Sequence, residues 1–294
     1  MYAKATVKNS YSGEQKMFHV TKHGRSGKKP KGIRREVYAD KKRMRRIYTV
    51  ITLLIIIFLV ILVSYYLANY FVGSNSSTNE NGGNSGDGSL KAALIDALYT
   101  TLPNDEFTRS LTETLREAGF EVDVFQGSEV TVDFLKSVPN GYNLVVLRMH
   151  SALHDDQLYL FTAEPYSVGK YTQEQQFQIV KEAYATEESQ PVFAVNWGFI
   201  KRCMTGKFND TLVIAMGCDG TRDQLIIEEF MNQGAVGYIS WTGPVLISHS
   251  DTATLHLAEA LYLEKLSVEE AIEGTNNQVG ADPEWGAVLE YYPP

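Results

Sequence analysis

The chain has only two cysteines in 294 residues, Cys203 and Cys218, so at most one disulfide can form and no cysteine-rich framework supports the fold. Acid is almost missing from one segment. Residues 1–46 contain three carboxylates, Glu14, Glu36 and Asp40, against 15 of the 27 Lys and Arg. The formal net charge of −8 therefore divides into about +12 there and about −20 beyond. Charge of either sign is absent from residues 47–72. At about 1.5 Å per residue that run is long enough to cross a hydrocarbon core of about 30 Å. It is too long for the apolar region of a signal peptide, and no A-x-A-like site follows it. Apolar side chains are in turn absent from residues 73–89, a run of Gly, Ser, Asn and Thr broken only by Glu80 and Asp87. Such a segment cannot offset the entropy of ordering and reads as a flexible tether. No segment repeats, so what remains is not a repeat array.

Four segments follow: a basic tail at 1–46, a transmembrane helix at 47–72, a linker at 73–89 and one α/β domain at 90–294. The cluster Lys41-Lys42-Arg43-Met44-Arg45-Arg46 abuts the apolar run. It places the N-terminus in the cytoplasm and the C-terminal domain outside the cell, on a single-pass chain. Beside a span such a cluster reads as topogenic, so no nucleic-acid partner is expected. The sequons Asn75-Ser76-Ser77 and Asn209-Asp210-Thr211 fit an exported chain.

In the 205 residues of the outer domain, strand and helix patterns alternate, which implies a mostly parallel sheet with helices on both faces. The periodicity predicts strands at 91–97, 121–125, 144–149, 212–216 and 235–241, and helices at 105–118, 131–137, 223–233, 251–264 and 267–275. Between 150 and 212 it predicts an insertion over the rim of a site, with a hairpin strand at 158–162 and a helical stretch at 172–185. Two strand ends carry chemistry. Residues 144–149 (LVVLRM) run into His150-Ser151, and residues 212–216 (LVIAM) run into Gly217-Cys218-Asp219-Gly220. Ligands of open α/β sheets bind beyond the carboxyl ends of such strands. A thiol and an imidazole delivered there are the two groups that cysteine nucleophilic catalysis requires.

Strand-His, strand-Cys-x-Gly, a helix, and a Gly-Ala-x-x-Tyr-Ile strand ending in Ser240-Trp241 resemble the caspase-like cysteine peptidase superfamily, which includes caspases, clostripain, gingipains, separases and CHAT domains. The resemblance covers nearly all of residues 90–294. It implies a caspase-like three-layer α/β sandwich, no metal and no cofactor, and peptides or proteins as substrates. By resemblance Cys218 is the nucleophile and His150 the general acid/base, and the N–H groups of Ser151 and Cys218 form the oxyanion hole. An imidazolium there would lower the thiol pKa. Two departures stand out. Most of these families have His-Gly where this chain has His150-Ser151, a side chain that would crowd the oxyanion hole. In caspases an Arg follows the Ser-Trp pair, whereas Thr242 follows Trp241 here, so a preference for Asp is not implied.

Asp219, Trp241 and Thr242 are expected to line the substrate site, with Asp219, Asp155 and Asp156 favouring basic substrates. Each reading has a structural alternative. Cys218 pairs with Cys203 or lies inert in the core, although the eight residues separating the two ends of one strand put a bridge out of reach. His154 with Asp155 and Asp156 suggests a metal, but the segment lacks helical continuity. Trp241 anchors the last strand from inside. The whole domain is either a membrane-anchored endopeptidase or a silent caspase-like domain that binds or senses a ligand outside the cell.

Overall fold

The computed structural model describes residues 6–8 (backbone only), 90–138, 141–208 and 210–294. The span expected at 47–72, the linker at 73–89, nearly all of the tail and both sequon asparagines lie outside the described residues. Among the described residues no helix is long and apolar enough to cross a membrane. The strands in chain order are β1 (Thr6–Lys8), β2 (Leu90–Asp96), β3 (Phe120–Gln126), β4 (Leu144–Arg148), β5 (Ser151–His154), β6 (Gln157–Pro165), β7 (Val180–Tyr184), β8 (Val192–Val195), β9 (Thr211–Ala215), β10 (Ala235–Trp241) and β11 (Leu289–Tyr292). The helices are α1 (Asp105–Glu117), α2 (Val132–Lys136), α3 (Thr172–Gln176), α4 (Trp197–Cys203), α5 (Gln224–Asn232), α6 (Ile247–Tyr262) and α7 (Val268–Val279).

The main sheet has the order β11-β10-β9-β4-β2-β3. Its first five strands in chain order run parallel, and β11 closes the edge antiparallel. Near-continuous apolar runs form its middle because both faces are covered. Alternation sorts them. Ala93, Ile95, Val145, Leu147, Val213 and Ala215 pack with α2, α4 and α5 on one face. Ala92, Leu94, Leu144, Val146, Leu212 and Ile214 pack with α1, α6 and α7 on the other. These are the three layers that the alternation of elements implied.

The stretch expected as a rim insertion forms most of a second sheet, all antiparallel, in the order β1-β7-β8-β6-β5, and contributes Ala185, Thr186 and Ser189 to the cavity described below. The helix expected at 172–185 ends at Gln176. Gln178 takes φ +56°, and Val180–Tyr184 pairs with β8, so strand pairing overrides the helical composition. Asp155 and Asp156, at φ +51° and +60°, form a two-residue turn between the paired His154 and Gln157. Positive φ at both central residues is the hairpin geometry that matches strand twist.

β1 pairs antiparallel with β7 and also contacts β5, curling the second sheet towards closure. Within one chain, this pairing and a single membrane crossing by residues 47–72 exclude one another, since they put residues 6–8 on opposite sides.

Candidate functional site

β4 and β9 are adjacent and parallel, with Leu144 opposite Leu212 and Leu147 opposite Ala215, a constant offset of 68 residues. His150 and Cys218 are separated by the same 68, so both chains leave the sheet at one level. The N–H of Met216 donates to the Leu147 carbonyl at 3.0 Å, continuing the ladder to the edge of the site. Beyond it, Ser151 Oγ donates to the Cys218 carbonyl at 2.6 Å, joining the two strand ends. His150, Ser151, Cys218 and Asp219 all line one cavity of about 660 Å³. The two strand ends thus bring these four residues together.

The Ser151 side chain, expected to crowd the oxyanion hole, is turned onto the Cys218 carbonyl. Gly217 makes this possible: a Cβ there would lie 2.2 Å from Ser151 Oγ and 2.7 Å from the Met149 carbonyl. Gly220 likewise lets the turn approach β10, where a Cβ would lie 1.8 Å from Ser240 Oγ. The His150 carbonyl accepts from Phe161 N–H at 2.9 Å. Antiparallel pairs alternate between bonded and non-bonded, so Ser151, the next residue, points its own N–H away from β6. Among the described residues the Cys218 N–H also has no backbone acceptor. Both donors expected for an oxyanion are therefore uncommitted to the backbone ladders.

The electrostatics differ from the expected ion pair. Burial, with Arg148 nearby, lowers the His150 pKa to about 4. Burial also raises the Cys218 thiol; the Val245 backbone contact opposes it, while Asp219 and Asp282 add to it. At neutral pH the pair is a neutral imidazole and a protonated thiol, so no imidazolium lowers the thiol pKa. No hydrogen bond joins them. Instead the sulfur accepts from Val245 N–H at 3.4 Å and faces its carbonyl at 3.7 Å. Catalytic hydrogen bonds of this kind often tighten only in complex with substrate.

Trp241 and Thr242 do not line the cavity, which corrects their expected role in substrate binding. Trp241 is buried against α6, where its ring meets His249 and its Nε1–H donates to Ser250 Oγ at 2.9 Å. Thr242 exchanges two 3.0 Å bonds with Val288, its N–H to the carbonyl and its Oγ1 accepting from the N–H. Asp155 and Asp156 sit at the tip of the β5–β6 hairpin and are not cavity residues. Asp219 is, but its Oδ1 accepts from Arg222 at 2.9 Å. Among the described residues no group of three or more His, Cys, Asp or Glu is placed to hold a metal ion. Both cysteines are free, Cys203 at the end of α4 and Cys218 beyond β9.

Two groups of site residues escaped the sequence reading. Arg148, buried at the end of β4, donates to Asp251 at 2.8 and 2.9 Å, to Asp96 at 3.0 and 3.1 Å, and to the Leu102 carbonyl at 3.2 Å. A guanidinium inside the apolar run LVVLRM was the available signal, since a buried charge requires partners. Trp285, 44% exposed, is the aromatic at the cavity. Its turn-rich segment, Asp282-Pro283-Glu284-Trp285-Gly286, was the signal there.

No family model matches the chain, and no curated protein does. Among solved structures the chain is similar to the Drosophila initiator caspase Dronc, with a TM-score of 0.36 at 8% identity, covering 74% of this chain and 88% of that one.

Proposed function

We propose that residues 90–294 form a cysteine endopeptidase in which Cys218 is the nucleophile and His150 the general acid/base. The observation that carries the reading is the exit of His150 and Cys218 at one level of two adjacent parallel strands into a shared cavity. The Cys218 sulfur attacks the scissile carbonyl while its proton passes to His150 Nδ1 or Nε2. The resulting oxyanion accepts from the N–H groups of Ser151 and Cys218, the kind of preorganised stabilisation that commonly contributes most to acyl transfer. His150 then gives the proton to the leaving amine. A water deprotonated by His150 hydrolyses the thioester and restores the thiol. Because the resting pair is neutral, the proton moves during attack and not before it. The domain acts on peptides or proteins, and it does so at the cell surface in a form where residues 47–72 cross the membrane and β1 is released from β7.

A second reading has its own support. The thiol is held on Val245 without a bond to His150, as in a binding module whose cysteine is inert. An electrophilic peptide probe separates the two on the full-length protein in reductant. Labelling of Cys218 that disappears in His150→Ala supports the peptidase. A folded wild-type protein that no such probe labels supports the binding module.

A further inference from the structure

We infer that the cavity beside Cys218 takes a large apolar side chain of the substrate peptide, with Trp285 as its outer wall; this rests on the peptidase reading and names its substrate class. Arg148 and Asp251 at the cavity are already satisfied, by one another and by Asp96, Asn104 and the Leu102 carbonyl. Arg148 has five N–H donors. Nε serves Asp251, Nη1 serves Asp96 and the Leu102 carbonyl, and Nη2 serves Leu102 and Asp251. None is left for an acidic substrate side chain. Asp251 accepts from Arg148 at both oxygens and from Asn104 at 2.9 Å, and Asp219 is engaged by Arg222. A basic side chain would have to displace a buried guanidinium to reach Asp251. What remains open is the surface of Leu98, Leu102, Met149, Met216, Val245 and Ile247. A largely apolar cavity of this volume with a few polar groups in its wall is an ordinary ligand pocket.

The backbone that carries Trp285 is held in place although the residue is nearly half exposed. Asp282 accepts from Glu284 and Trp285 N–H at 2.9 and 3.0 Å through one oxygen, and from Leu246 N–H at 2.8 Å through the other. The loop that carries the indole is thereby joined to the segment whose Val245 holds the thiol. An aromatic anchored in this way offers contact area at little cost in conformational entropy.

The test uses full-length protein and four peptides differing only at the residue before the scissile bond, Leu, Phe, Arg or Asp. Binding is measured in Cys218→Ser, where no turnover intervenes. The Leu and Phe peptides should bind at least ten times more tightly than the Arg and Asp peptides, and adding Trp285→Ala should weaken them about tenfold with no change in melting temperature. Equal binding, preference for Arg or Asp, or binding indifferent to Trp285→Ala overturns the assignment. Hydrolysis of the same peptides by the wild type is scored separately. Apolar-selective binding without hydrolysis defeats the peptidase reading and leaves the subsite, whereas hydrolysis after Arg defeats the subsite and leaves the peptidase.

Discussion

Replacing Asp251 by Ala should be among the most destabilising single changes in the domain. The carboxylate is 6% exposed and accepts from Arg148 at both oxygens. Its loss leaves two of the five donors of a guanidinium that is only 2% exposed without their acceptors. Removing one partner of a buried ion pair typically costs about 3–5 kcal/mol. A second contact goes with it. Asn104 Nδ2 loses its acceptor, and the Oδ1 of that same side chain caps α1 through Phe107 N–H at 3.0 Å. For a domain of about 200 residues, each kcal/mol moves the melting temperature by about 2–4 °C, so a fall of about 6–20 °C is expected. Urea denaturation of the full-length protein, followed by far-ultraviolet circular dichroism, gives the free energy directly. A loss below about 1 kcal/mol would mean that Arg148 is hydrated or repaired elsewhere, and the reasoning that treats the triad as closed would be wrong.

Stability should depend on His150 below neutral pH. Burial and Arg148 lower its pKa from 6.5 to about 4, so between those values the unfolded chain holds the extra proton. The contribution is complete above about pH 6.5 and is lost as pH falls to about 4, up to about 3 kcal/mol in all. Subtracting the pH profile of His150→Gln from that of the wild type should expose this slope, and a flat difference would refute the buried neutral imidazole. Gly217→Ala should cost about 1–3 kcal/mol through overpacking against Ser151 Oγ and the Met149 carbonyl. Adding Ser151→Gly should recover part of the loss, and an unaltered melting curve for Gly217→Ala would show that the strand ends are loosely joined. Protease added to intact cells should digest residues 90–294 and spare the tail if residues 47–72 cross the membrane. Digestion of both from outside would instead favour the pairing of β1 with β7.

The main sheet was legible because its strands are apolar on both faces, and a run such as LVIAM before Gly217-Cys218 has little else to be. Strand ends at the carboxyl edge then located His150, Ser151, Cys218 and Asp219 without any knowledge of contacts. The second sheet was hidden for a different reason. Residues 180–184 (VKEAY) are polar enough to pass for helix, and only pairing with β8 decides their state. Asp155-Asp156 resembled a metal cluster because acidic side chains serve turns and ligands alike. The reading of Trp241 failed on direction: a strand end places a residue near a site, but alternation decides which way its side chain points, and β10 sends the indole into the core. The neutral state of the His150 and Cys218 pair depends on burial, which no motif encodes.

The central claim is that His150 and Cys218 act as one catalytic unit, and a double-mutant comparison of peptide hydrolysis tests it most directly. Cys218→Ala and His150→Ala should each lower kcat/KM by orders of magnitude, and the double variant should lose little more, because cooperating catalytic groups are strongly non-additive. All three proteins should remain folded. Losses that add in free energy, or a folded wild type that hydrolyses no peptide, would contradict the claim.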